Sequence, residues 1–446
     1  MKKIYLFFTV CSLLTYSGVF GQSDPNSLTL EKAVELALEN NLNLQRSQID
    51  LYTNEASLTE ISGQRLPSFS TGASSGYRWG RSINPVTNLF ENNRIGNINL
   101  FGNANVTLFA GQQIANSLRQ AKTNIEISKT NIATAENNVT LNVVNLFINV
   151  LFAEEQLKIA QSQLNSTKEQ LSITTRLVEA GSQPLANKLD IQAQNATNEL
   201  EVINATNNLR IAKLNLAQAL LIPFNESLQV VAPELEAESQ TLTESDVDEI
   251  FAIALEAMPQ IKAAALGIES AEYGVRISKG AFYPTLGFGA SAFSNYVDQY
   301  FLGETASFGT QIQNNFSNSA NFQLNIPIFS NFRNKAGLQR ARLQKKLSEI
   351  NEQEVKLQLR QDIESSYTDA VAARQSYRAS ITRVESLEEA FRIAKQRFES
   401  GAINSVDFQV AQNNLFNAQA DLVSAKYRYI FRVKILDFYL GNPITL

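Results

Sequence analysis

Leu118, Ile125, Ile132, Val139, Leu146, Ala153 and Ala160 recur every seven residues, joined further on by Val150, Leu157, Leu164, Leu171 and Val178 at a second heptad position. A sustained seven-residue period predicts helices that pack along their length in coiled-coil fashion. No Gly or Pro interrupts Gln112 to Ala180 or Leu338 to Ser400. At about 1.5 Å per residue each stretch runs on the order of 100 Å, too long for a compact domain. The opposite faces carry Asn, Gln, Ser and Thr more than paired charges, as in Asn124, Thr130, Asn131 and Asn138. That face suits bulk solvent and a water-lined interior alike.

A second pattern has period two. Ile98, Leu100, Ala104, Val106 and Leu108 alternate with Asn97, Asn99, Asn103, Asn105 and Thr107, and Phe101 is the one apolar residue on the polar side. Phe322, Leu324, Ile326 and Ile328 alternate with Asn321, Gln323, Asn325 and Pro327. Such runs predict strands with one apolar and one wet face. They fall in two hairpins, Leu66–Phe109 and Tyr283–Phe329, with long polar loops expected over Arg81–Gly96 and Asn295–Ser319. Phe69 near one end of the first strand, and Tyr77 with Trp79 near the other, lie on one face. Rings so placed mark the two interfaces of a bilayer.

The chain also repeats itself. Leu30–Glu39 returns as Val247–Glu256, an offset of 217 that also takes Pro67 to Pro284 and Gly72 to Gly289; Gly181 returns as Gly401 at an offset of 220. Each copy reads helix, two strands, very long helix, glycine-marked turn, long helix. The copies are expected over 22–222 and 245–446, joined by an acidic segment at 223–244.

Composition narrows the chemistry. Lys2 and Lys3, the apolar run Ile4–Leu14 and the small-residue end at Gly21 predict a secretory leader over 1–21. The one cysteine, Cys11, lies within it, and the chain has no His. Cys and His metal sites, disulfides and Ser-His-Asp triads are thereby excluded, and neither metal nor cofactor is expected. A net charge of −5 without acidic or basic blocks is not a nucleic-acid binder's profile. Past the leader no segment approaches the roughly 20 apolar residues of a spanning helix. Membrane residence would therefore be by strands. A sheet in lipid must close, and four strands cannot. Two chains would give eight strands, which side chains fill, whereas three give twelve and room for water.

The duplicated layout, the run Leu28–Leu42 (LTLEKAVELALENNL), Gln64–Pro67, Tyr283-Pro284 and Ala411–Ala418 (AQNNLFNA) together resemble the TolC family of outer-membrane efflux and secretion channels. The resemblance covers essentially all of the chain past the leader. It implies an α+β membrane protein: a homotrimer with a twelve-stranded barrel in outer-membrane lipid, continued by a periplasmic coiled-coil barrel. The turns at Gly181, Ser182, Gly401 and Ala402 would meet a periplasmic adaptor that also holds an inner-membrane transporter. Glycine there equally suits a helix C-cap. The family pattern has acids at Asp407 and Val410, a Tyr at Phe398, an Arg at Ile403 and that Arg's acidic partner at Asn187, and Asp190 shares the turn. Only Asp407 keeps the acid of that set. The resemblance thus implies a tip closed by apolar packing, with Asp407 on the pore. Asp407 equally suits the cap of the returning helix, where an acid near the N-terminus is favourable. A coiled-coil scaffold or trimeric adhesin would explain the heptads but not the paired hairpins. For an enzyme, pairs such as Glu154-Glu155 and Glu388-Glu389 are better read as solvated helix faces.

Overall fold

The computed structural model describes residues 27–83, 88–231, 246–298 and 306–442. The leader expected over 1–21 lies outside them, as does 232–244 of the joining segment expected over 223–244. The first half contains strand β1 (Ser27–Leu28), helices α1 (Leu30–Asn40) and α2 (Leu42–Gly63), strands β2 (Ser68–Ile83) and β3 (Phe90–Ala110), and helices α3 (Gln113–Glu179) and α4 (Leu185–Ala219). After β4 (Gln229–Val230), which pairs in parallel with β1, come α5 (Val247–Ala257), α6 (Pro259–Gly280), β5 (Thr285–Val297), α7 (Phe308–Asn314), β6 (Ser317–Asn325), α8 (Arg333–Glu399) and α9 (Ser405–Tyr439).

The helices match pairwise in length. α1 and α5 have 11 residues, α2 and α6 have 22, α3 and α8 have 67, and α4 and α9 have 35. Even the passage from strand to long helix is copied as two successive left-handed residues. These are Gly111 and Gln112 (φ 57° and 64°), then Asn331 and Phe332 (φ 48° and 61°).

The single opening helix expected in each copy is two helices. Asn41 is extended and its side chain caps α2, accepting from the Asn43 and Leu44 amides. Pro259 starts α6 and excludes helical backbone at Met258, so α5 and α6 meet at 56°. The break lets each short helix lie against its long one. Ala33 and Ala37 share a buried cluster with Phe147, Ile148 and Leu151, while Ile250 and Ala254 share one with Leu359 and Ile363. Each fully buried large side chain there contributes about 1.5–3 kcal/mol. Tyr427 lies in the first cluster; burial, with Glu155 and Glu154 nearby, pushes its phenol up to about 12. Glu154 pairs with Lys213 at 3.2 Å.

The two hairpins form one antiparallel sheet, ordered β2-β3-β5-β6, because β3 pairs with β5. The polar loop expected over Arg81–Gly96 is mostly strand, with unbroken pairing from Tyr77–Gly96 to Ile83–Phe90. Arg81, Asn92 and Arg94 interrupt the otherwise apolar face there beside Ile83 and Phe90, so the alternation fades while the ladder continues. The second hairpin differs the other way. β6 ends at Asn325 rather than Ile328, since Pro327 has no amide to give a ladder. Within the loop expected over Asn295–Ser319, α7 covers the edge of β5 left free above Ser317. Gln311 exchanges hydrogen bonds with the Val297 backbone at 3.0 Å each way, and Asn315 donates to the Asn295 carbonyl at 2.7 Å.

Phe69 and Trp79 stand exposed on one face of β2, ten positions apart. At about 3.3 Å per residue and a tilt near 40°, that separation projects to roughly 25 Å, the height of an outer-membrane apolar band. The other face is the concave one. A Cβ on its Gly289 would stand 3.2 Å from both the Asn105 and the Asn321 side-chain oxygens, which lean together from the flanking strands.

Candidate functional site

Four helix ends meet at the end of the molecule away from the sheet. α3 and α8 stop in the same hydrogen-bonded turn. Ser182 donates to Leu177 O (2.9 Å) and Gly181 to Val178 O (3.0 Å), while Ala402 donates to Arg397 O (2.7 Å) and Gly401 to Phe398 O (3.0 Å). This pattern needs a left-handed residue after the helix, supplied by Gly181 at φ 71° and Gly401 at φ 73°. Gly181, Ser182, Gly401 and Ala402 are all exposed, and nothing stands within 4 Å of a Cβ built on either glycine. The C-cap reading of both glycines is thus met, and their surface is free.

Behind the turns an aromatic cluster ties the two hairpins of helices together. Phe398 is 3% exposed and stacks on Phe408 with centroids 4.9 Å apart; Phe391 lies 5.6 Å from the same ring. Ile191 of α4 is buried with them, and Leu171 and Ile403 pack against the group. One polar contact closes the gap beside it. Buried Ser405 donates from Oγ toward Asn187 Oδ1 (3.3 Å) and Asp190 Oδ2 (3.2 Å). The structure therefore brings together Phe398, Ile403, Asn187 and Asp190.

It leaves Asp407 and Val410 outside that cluster, exposed on the first turns of α9 beside Val406. Asp407 is not the helix cap. Asn404 is, accepting from the Asp407 amide at 2.8 Å, which puts the Asp407 carboxylate in the first turn, where the helix dipole favours an anion. Sequence reasoning missed Ser405, Phe408, Phe391 and Ile191. The seven-residue spacing of Phe391 from Phe398 was the available signal for one of them; nothing local marks Ser405 as buried.

The sequence pattern of the family described as outer membrane efflux protein matches this chain twice, over residues 33–220 and 251–442. The chain belongs to that family. The two matches fall on the two halves of the fold, one on α1 to α4 and the other on α5 to α9. This outer membrane efflux protein is 29% identical over 177 residues to the outer membrane efflux protein BepC of Brucella suis, and 26% identical over 175 residues to TtgC of Pseudomonas putida, named a toluene efflux pump outer membrane protein. Those alignments take in 40% and 38% of this chain and span 37% of BepC and 33% of TtgC. Solved structures share the fold over almost its whole length. VceC of Vibrio cholerae superposes with a TM-score of 0.76 at 18% identity, covering 93% of this chain and 97% of VceC. The Campylobacter jejuni channel CmeC gives 0.77 at 20% identity, covering 92% and 85%.

Proposed function

We propose that the chain is the protomer of a passive outer-membrane exit duct serving a tripartite efflux pump or a type I secretion system, with no chemistry of its own. The observation that carries this reading is one sheet, apolar on one face and wet on the concave other, running directly into helices on the order of 100 Å long. With β2 and β6 at its edges the sheet cannot stay open in hydrocarbon. Three chains close it at twelve strands with an aqueous lumen. The helices continue that lumen into the periplasm, and the turns at Gly181-Ser182 and Gly401-Ala402 are where a periplasmic adaptor, itself holding an inner-membrane transporter, docks.

At the tip, Asp407 faces the threefold axis with Val410, and the three Asp407 carboxylates attract cations. Phe398 and Ile403 hold the closed tip by apolar packing, seconded by Ser405 between Asn187 and Asp190. The repeats are taken as 22–222 and 245–446, with 223–244 between them and a leader over 1–21. The scaffold alternative loses its support once both hairpins are seen to form a single sheet.

Mass measurement in mild detergent, followed by insertion into planar bilayers, tests the reading. A three-chain particle that conducts ions is expected. A stable monomer or dimer, or a trimer that never conducts, overturns it. Crosslinking from the two turns in cells should capture the adaptor.

A further inference from the structure

The wet face of the sheet changes character at one level. One register on it carries Ser70, Asn103, Ser291 and Ser319, and the register on the far side carries Ser74, Asn99 and Asn295. Between them the row reads Gly72, Phe101, Phe293, Ser317, with the two phenylalanines directly opposite each other on β3 and β5. Both sit mid-sheet, yet Phe101 is 40% exposed and Phe293 41%. Neither ring serves as core: Phe101 leans across Gly72 on the neighbouring strand, and both rings keep an open side on the wet face.

Gly72 fits this arrangement. The Phe101 ring lies over it, and a Cβ there would stand 2.6 Å from the ring's Cζ. Nor does the repeated fold require the rings. At the offsets of 217 and 220 that relate the two copies, the counterpart of Phe101 is Asn321 and that of Phe293 is Gly76. The pairs Gly72–Phe101 and Gly289–Asn321 are accordingly equivalent in register, and the second is built without an aromatic residue. The β3–β5 pairing alone brings two unrelated positions to one level.

We propose that Phe101 and Phe293 of three protomers form a six-ring aromatic girdle in the barrel lumen, which is the contact site for planar aromatic small molecules leaving through it. The inference rests on the channel reading above. Threefold symmetry sets the three pairs at one height. A twelve-stranded bore lies between the filled eight-stranded barrel and the open sixteen-stranded one, so six large side chains narrow it most at this level. Ring faces attract planar aromatic and organic-cation groups, which the Asn and Ser rows on either side do not. Cargo of that class would pause at the girdle, while hydrophilic solutes would pass it only as a constriction.

The test uses the intact trimer in planar bilayers, with ethidium as the probe and transient current blockades as the readout. Phe101→Ser with Phe293→Ser should raise the open conductance and shorten the mean blockade by roughly tenfold, the loss expected when aromatic contacts go. Phe101→Leu with Phe293→Leu should keep the conductance near the wild-type value yet still shorten the blockade. Should the serine pair not insert, Phe293→Ser alone, away from Gly72, is expected to shorten it roughly threefold. A conducting wild type whose blockade time is the same in these variants overturns the girdle alone. A wild-type trimer that carries no current overturns the channel reading and the girdle with it.

Discussion

Truncating Phe398 to Ala should unlock the helical tip while leaving the rest of the molecule intact. The ring is 3% exposed, stacks on Phe408 at 4.9 Å and shares its cluster with Ile191, so its removal opens a cavity between α4, α8 and α9. Burying such a ring contributes about 3–5 kcal/mol, of which stacking supplies roughly 0.5–1.5. If the cluster is what holds the tip, the locally opened population rises by two to three orders of magnitude, roughly, because each 1.4 kcal/mol is tenfold. Hydrogen exchange of the trimer followed by mass spectrometry reads this directly. Peptides from the start of α9 and the end of α8 should lose protection, as should those around Ile191. Peptides from β3 and from the Phe147 region should not change. Phe398→Leu, which keeps most of the volume, should show a much smaller effect. In the wild type, about 1 M salt, which cuts the screening length to roughly 3 Å, should leave tip protection as it was. Unchanged exchange at the tip of Phe398→Ala, or tip opening by salt alone, would refute the idea that apolar packing holds this end.

Three other outcomes follow from the geometry. Asp407→Ala should abolish cation preference in single-channel recordings, and unchanged selectivity would leave the carboxylate with its helix-dipole role only. Gly401→Ala meets no neighbour, so its whole cost is the left-handed backbone, about 1–2 kcal/mol; Gly401→Glu adds charge at the exposed turn and should impair adaptor docking, and full transport in cells by that variant would show the turn is not the docking surface. The Tyr427 phenol, pushed up to about 12 by burial, favours the folded state fully below its unfolded value near 10, and that contribution disappears as pH rises through 12. Spectrophotometric titration should therefore find one tyrosine ionising near 12 that is absent from Tyr427→Phe.

Much of this architecture is legible along the chain. The Gly- and Pro-free stretches account for the length of α3 and for all of α8 past its first turn, which runs through Gly337; Gly181 and Gly401 mark where they end, and the offsets of 217 and 220 announce two copies. Alternation from Asn97 to Leu108 assigns the two faces of β3. These features are local, because helix propagation, left-handed caps and strand faces depend on neighbours a few positions away.

What the tertiary structure decided lies where that local signal is silent or shared by alternatives. Strand pairing through Ile83 and Phe90 was hard to read along the chain because Arg81, Asn92 and Arg94 stand on the same, otherwise apolar face and break the alternation there. Either Asn404 or Asp407 could have capped α9, and only the backbone path made it Asn404. Phe398 sits where the resemblance places a hydroxyl, but its partners Phe408 and Ile191 come from two other helices. Phe101 reads in the sequence as an isolated irregularity; it acquires a counterpart in Phe293, 192 positions away, only because β3 and β5 pair across the two copies. Periodicity records which side of its own element a residue occupies, and the residue it meets there is fixed by packing between elements far apart in the chain.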